Sequence, residues 1–153
     1  MTSTSFLTCW RASLCATFFL IAGLHVAAVA DAPGNELDFP RNVVNWYLSG
    51  DAEKLWPHAG EVLRELAEDV EGLREAADDI RQIMGPQTAV LDEQIFDHPE
   101  DDGWRIYVRT LRHARADEMF WVVIFSPSTG EIQMIMAHPR RTIQTLFPQA
   151  RLP

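Results

Sequence analysis

Hydrophobic residues change period once along this chain, and the two periods predict two kinds of element. From Leu63 to Met84 the apolar positions Leu63, Leu66, Val70, Leu73, Ala77, Ile80 and Met84 advance in alternating steps of three and four, the spacing of one face of an α-helix. Glu65, Glu68, Asp69, Glu71, Arg74, Glu75, Asp78, Asp79 and Arg81 fill the other faces, and Gly85-Pro86 ends the pattern. The prediction is a single long helix from about Gly60 to Met84. After it the period shortens to two. Four β-branched or aromatic runs follow, Thr88–Phe96, Trp104–Arg112, Met119–Phe125 and Glu131–Ala137, each bounded by turn residues. The Asp102-Gly103 step is expected to supply a positive φ for the first hairpin. Ala116-Asp117-Glu118 and Ser126-Pro127-Ser128-Thr129-Gly130 mark the other two turns.

Ahead of the long helix lie two shorter helical pieces. Asp38 stands where an N-cap belongs, Pro40 sits near the first turn, and Val43, Val44, Tyr47 and Leu48 share a side, so a helix runs from Pro40 to about Leu48 and stops at Ser49-Gly50. Asp51 then caps Ala52–Trp56, which Pro57 ends. The expected fold class is α+β: a helical hook and a long helix packed on a curled four-stranded antiparallel sheet. A three-heptad seam also suits a coiled coil. The sheet that follows it, which needs an apolar cover, favours packing within the chain.

Strand composition carries a second expectation. Met119–Phe125 is apolar on both faces, so it should be covered twice. In the preceding strand Trp104, Ile106 and Val108 make one face, and Arg105, Tyr107, Arg109 and Leu111 the other. One sheet face is therefore expected on the long helix, and a second to mix Tyr107, Arg109, Trp121 and Phe125 as a recognition surface for a ligand or partner. Ordinary core, covered by the hook and the tail, is the competing reading of the same residues.

The chain has 153 residues and a net charge of −9, with Lys54 as its one lysine. Residues 1–30 read as an export signal: Ala12 to Ala30 is apolar apart from small polar residues and His25, and Ala28-Val29-Ala30 predicts cleavage between Ala30 and Asp31. An uncleaved anchor is the alternative, because nineteen residues come close to the ~20 that span a bilayer. The expected location is periplasmic or secreted, with no membrane association after cleavage. Cys9 and Cys15 both lie in the signal, so the mature chain has neither a disulfide nor a thiolate site. Losing Arg11 leaves 12 basic residues against 22 acidic ones, a net charge of about −10. That balance argues against nucleic acid as a partner. The organisation reads as signal 1–30, linker 31–38, domain 39–139 and tail 140–153.

Ser49-Gly50-Asp51-Ala52-Glu53-Lys54-Leu55, the acidic helix ending in Met84-Gly85, and the strands holding Trp104-Arg105-Ile106-Tyr107-Val108-Arg109 and Ser128-Thr129-Gly130-Glu131-Ile132 resemble the cystatin-like, nuclear transport factor 2-like superfamily. Within it they resemble the small domain of unknown function found beside exported bacterial serine hydrolases. The resemblance covers residues 39–139 and implies an α+β cone, in a superfamily that includes isomerases, dehydratases and noncatalytic binding modules. The chain departs from the fused architecture: no Gly-x-Ser-x-Gly or Ser-x-x-Lys occurs in the mature sequence, which leaves a serine hydrolase no nucleophile.

Chemistry-bearing candidates are few. Tyr107, Arg109, Asp92, His113 and His138 are the residues an isomerase or dehydratase acting on an apolar small molecule would draw on. Tyr107 and Arg109 stand two apart on one strand, where they would hold an anionic group against Trp121 and Phe125, or else satisfy a neighbouring Glu. The loop Asp97-His98-Pro99-Glu100-Asp101-Asp102 gathers oxygen ligands without calcium-loop spacing, and His58 and His138 lack metal-spaced partners, so no metal or cofactor is expected. Trp46 and Trp56 read as core or rim packing, and Arg140-Arg141 as solvated. The functional expectation is a noncatalytic binding or accessory module. Its partner would be a protein or a small apolar ligand of the cell envelope, and pairing through the sheet would give a homodimer. The alternatives are the small enzyme just described and an inhibitory or regulatory partner of an exported enzyme.

Overall fold

The structure is a computed structural model and describes residues 36–148. The predicted signal, with its cleavage site at Ala30 and Asp31, lies outside the described residues. The described residues form five α-helices, a 3₁₀ turn and one sheet: α1 (Asp38–Ser49), α2 (Ala52–Leu55), the 3₁₀ turn (Trp56–His58), α3 (Glu61–Ala67), α4 (Val70–Met84), β1 (Gln87–Asp97), β2 (Arg105–His113), β3 (Glu118–Phe125), β4 (Ile132–Pro139) and α5 (Arg140–Leu146). The strands pair antiparallel in sequence order, β1-β2-β3-β4, and the sheet is open. An α+β class is thus established. No helix among the described residues is long and apolar enough to cross a membrane.

The sheet carries two apolar layers, set by strand parity. Tyr107, Leu111, Trp121, Val123, Phe125 and Ile132 point to one face, where they meet Val43, Val44, Leu55, Leu63, Leu73 and Ala77 of the four helices before the sheet. Ile106, Val108, Phe120, Val122 and Ile124 point to the other, where Ile143 of α5 and Phe147 pack on them. β3 is covered on both sides, as its composition predicts. The assignment of the faces is the reverse of the expectation. Tyr, Arg, Trp and Phe lie under the helices, and the face of Ile106, Val108, Phe120, Val122 and Ile124 receives α5. The segment expected as a tail from residue 140 supplies that helix, because Ile143 and Phe147, four apart, give it an apolar edge.

The long helix is broken. Glu68 takes φ 66° and ψ −51°, and α4 restarts with Asp69, whose side chain accepts from the Gly72 N–H at 2.9 Å. The break lets α3 turn toward the sheet edge, where Gly60 N donates to Ile132 O at 2.8 Å and Ala59 bridges Ile132. Four stripe residues, Leu63, Leu73, Ala77 and Met84, are buried, while Leu66 is left 63% exposed.

Two caps and one turn also differ from expectation. Asp38 is the first residue of α1 and pairs with Arg41 at 2.9 Å, with Leu37 in the cap position. Asp51 makes no side-chain cap bond and pairs with Lys54. Gly103 is not among the positive-φ residues: Asp101 accepts from Gly103 N at 3.0 Å, and Trp104 N closes the turn onto Asp101 O at 3.1 Å. The left-handed glycine falls instead in the β3–β4 turn, at Gly130, φ 68°.

Candidate functional site

Two helix residues, Arg41 and Asn45, and three strand residues, Glu93, Tyr107 and Arg109, meet in one polar cluster at the junction of α1 with β1 and β2. On β1, Glu93 shares the helix-covered face with Ile95, because Glu93 pairs Arg109 and Ile95 pairs Tyr107 across the ladder. A carboxylate on that face has to be met by donors. Tyr107 Oη donates to Glu93 Oε1 at 2.7 Å, Arg41 Nη2 to Glu93 Oε2 at 2.7 Å, and Arg41 Nε to Glu93 Oε1 at 3.1 Å. Arg109 Nε lies 3.0 Å from Glu93 Oε1, close enough for an ion pair, although the N–H is not aimed for a hydrogen bond. Arg109 Nη1 donates to Asn45 Oδ1 at 2.7 Å. Arg41 and Asn45 are four apart, so one helix face presents both.

The electrostatics follow from this geometry. The Arg41 hydrogen bond, then the Tyr107 hydrogen bond and the Arg109 charge, outweigh partial burial and hold the Glu93 carboxyl below the usual carboxylate range. Burial, and then the hydrogen bond to Glu93, push the Tyr107 phenol up. The cluster therefore stays ionised at Glu93 and protonated at Tyr107 across neutral pH. Neither group is poised to exchange a proton there.

Tyr107, Arg109, Trp121 and Phe125 are brought together on one face as expected, but all four are buried beneath the helices. A recognition surface requires them to meet solvent, and the hook covers them. Tyr107 and Arg109 satisfy a neighbouring Glu, the second of the two readings given for them. Trp121 tilts against Tyr47, ring centroids 5.7 Å apart, and Phe125 against Phe39 at 5.7 Å. Glu93, Arg41 and Asn45 were not anticipated from the sequence. The available signal was parity: an acid two residues from Ile95 on a core-facing strand position calls for a cation.

His113 is a second buried polar group with a definite task. Its Nε2 accepts from Trp121 Nε1 at 3.1 Å, which makes Nδ1 the donor toward Gly85 O at 3.2 Å. Beside it Arg115 N donates to Met84 O at 2.9 Å and Arg115 Nη1 to Gln82 O at 2.7 Å. The β2–β3 turn thereby caps the carbonyl end of α4, with an arginine where the helix dipole favours a cation. An open depression of about 370 Å³ adjoins this cap, lined by Asp78, Arg81, Gln82 and Arg115 among others. Arg81 pairs with Asp78 and also reaches Ser49 O.

The remaining candidates are scattered. Asp92 takes the Gln94 amide. His138 is half-buried on the α5 face, and burial lowers its pKa. Arg140 pairs with Glu118. His58 is half-buried, with Nδ1 3.1 Å from Gly130 O, and it stacks on Trp46 at 5.8 Å and meets the edge of Phe39 at 5.2 Å. Arg64 lies over Trp56 at 4.6 Å. Phe39, Trp46 and His58 thus form a half-buried aromatic rim on the hook, and Trp56, also half-buried, carries Arg64. Among the described residues no group of three or more His, Cys, Asp or Glu side chains is placed to hold a metal ion. Comparisons with protein-family models, with curated proteins and with solved structures find no match.

Proposed function

We propose that the chain is an exported, noncatalytic binding or accessory module of the cystatin-like, nuclear transport factor 2-like kind, with its helices seated in a cone-like α+β sheet. The observation that carries this reading is the saturation of the cluster around Glu93. An isomerase or dehydratase of this class needs a titratable group free to take or give a proton in a pocket. Here the carboxylate, the phenol and both guanidiniums are committed to one another and to Asn45.

Recognition then falls on the hook, where the aromatic rim offers the residue types that dominate binding hot spots, tryptophan foremost, beside Arg64. A protein partner in the cell envelope is the occupant this reading favours. Affinity capture of the chain from an envelope extract, compared between wild type and Trp46→Ala, tests it. The expected result is a defined partner whose recovery falls at least tenfold with Trp46→Ala. Turnover of a small apolar carbonyl or hydroxy compound by the wild type, lost in Tyr107→Phe with the fold intact, would overturn it in favour of the enzyme.

A further inference from the structure

We propose that residues 61–84 are a two-state joint: kinked at Glu68 they close the monomer, and straightened into one helix they exchange the hook, residues 36–67, between two copies of this chain. Three independent features of the joint carry the inference.

Glu68 is the only non-glycine residue among those described with positive φ. Asp69 N donates to Ala67 O, two residues back, at 2.8 Å, so residues 67–69 form a γ-turn of the positive-φ form, the rare and strained one. Gly72 makes the kink sterically admissible, because a Cβ there would collide with the Ala67 carbonyl oxygen, a backbone atom that cannot rotate away. The apolar stripe is spaced for the other state. Leu63, Leu66, Val70, Leu73, Ala77, Ile80 and Met84 lie on one line only if the helix is continuous, and the kink turns Leu66 out to 63% exposure.

Straightening removes the γ-turn and restores the regular backbone ladder, giving a helix ~36 Å long over residues 61–84 at 1.5 Å per residue. With α4 held on its own sheet, α3 and everything before it must leave that sheet. Val43, Val44, Leu55 and Leu63, all buried in the monomer, would then face water. The sheet and α4 of a second copy, vacated in the same way, offer an identical surface. Reciprocal exchange re-forms each of these contacts between chains, along with the Arg74–Glu53 ion pair that ties α4 to the hook. A short, strained hinge is the feature that makes such exchange cheap.

Light scattering behind size exclusion on the full chain, refolded over a range of concentrations, tests the joint with two variants of opposite sense. Gly72→Ala blocks the kink and favours the straight helix. The expected result is a dimer fraction at least tenfold above wild type at equal concentration, with dimers that persist for hours after dilution because return requires the hook to detach. Glu68→Gly relieves the γ-turn, and its dimer fraction should fall at least tenfold below wild type. Dimers that dissociate at once on dilution, or equal dimer formation by both variants, overturn the proposal. Should Gly72→Ala fail to fold, wild type refolded at high concentration against Glu68→Gly decides alone, and absence of a dimer from wild type then overturns it.

Discussion

Glu93 shows how much of a residue's behaviour depends on its neighbours. Its side chain is only 17% exposed and faces three donors, so removing its charge leaves Arg109, 7% exposed, without its counter-ion. Glu93→Gln should cost about 1.5–3 kcal/mol in urea melts, the range for hydrogen bonds to charged groups, while Tyr107→Phe should cost about 1 kcal/mol. The carboxyl is held below its usual range in the fold, so in acid the unfolded chain takes up the proton first. Its contribution is present above the ordinary carboxylate pKa and is lost as pH falls through the lowered one. Stability of Glu93→Gln should accordingly be flatter than wild type in an acid titration. Parity along β2 was legible from the sequence, and it placed Tyr107 and Arg109 together. What they touch was not, since Glu93 and Arg41 are 52 residues apart and meet only when α1 docks.

At the scale of elements, spacing identified most of the helix and strand segments, and three things escaped it. Periodicity runs through Glu68 unbroken, whereas the break is imposed by the Asp69 cap, the room at Gly72 and the attachment of α3 to Ile132. Which sheet face the helices cover also has no signature in a strand that is apolar on both sides. The stripe therefore divides energetically. Leu73→Ala, at a buried position, should cost ~2–5 kcal/mol. Leu66→Ala should change stability by less than about 0.5 kcal/mol, as expected of an exposed site. Thermal or urea melts of the two variants check the contrast. α5 went unread because seven residues with two apolar positions are too short to show a period. Its sheet-side neighbours, Phe120 and Val122, are what hold it.

For the whole molecule, stability should decline on both sides of neutrality. Burial depresses the His138 pKa, so between the ordinary histidine value of 6.5 and the lowered one the unfolded chain binds more protons and stability falls as pH drops. His138→Gln should remove that slope. Tyr47, whose phenol burial pushes up to about 12, acts on the alkaline side: above the usual value of 10 the unfolded chain ionises first, and stability falls as pH rises toward 12. Tyr47→Phe should flatten this limb, read from denaturation midpoints at stepped pH. The strand order has a consequence of its own in time. Every strand pairs with its neighbour in sequence across short connections, residues 98–104, 114–117 and 126–131, so the open sheet forms through pairings between neighbours in sequence alone. Loop-closure entropy is then modest at each step, and sheets of this kind assemble quickly for their size. The hook meets the β3–β4 turn across 72 residues, from His58 to Gly130, which makes its docking the late event, after a β-meander has already formed as its template.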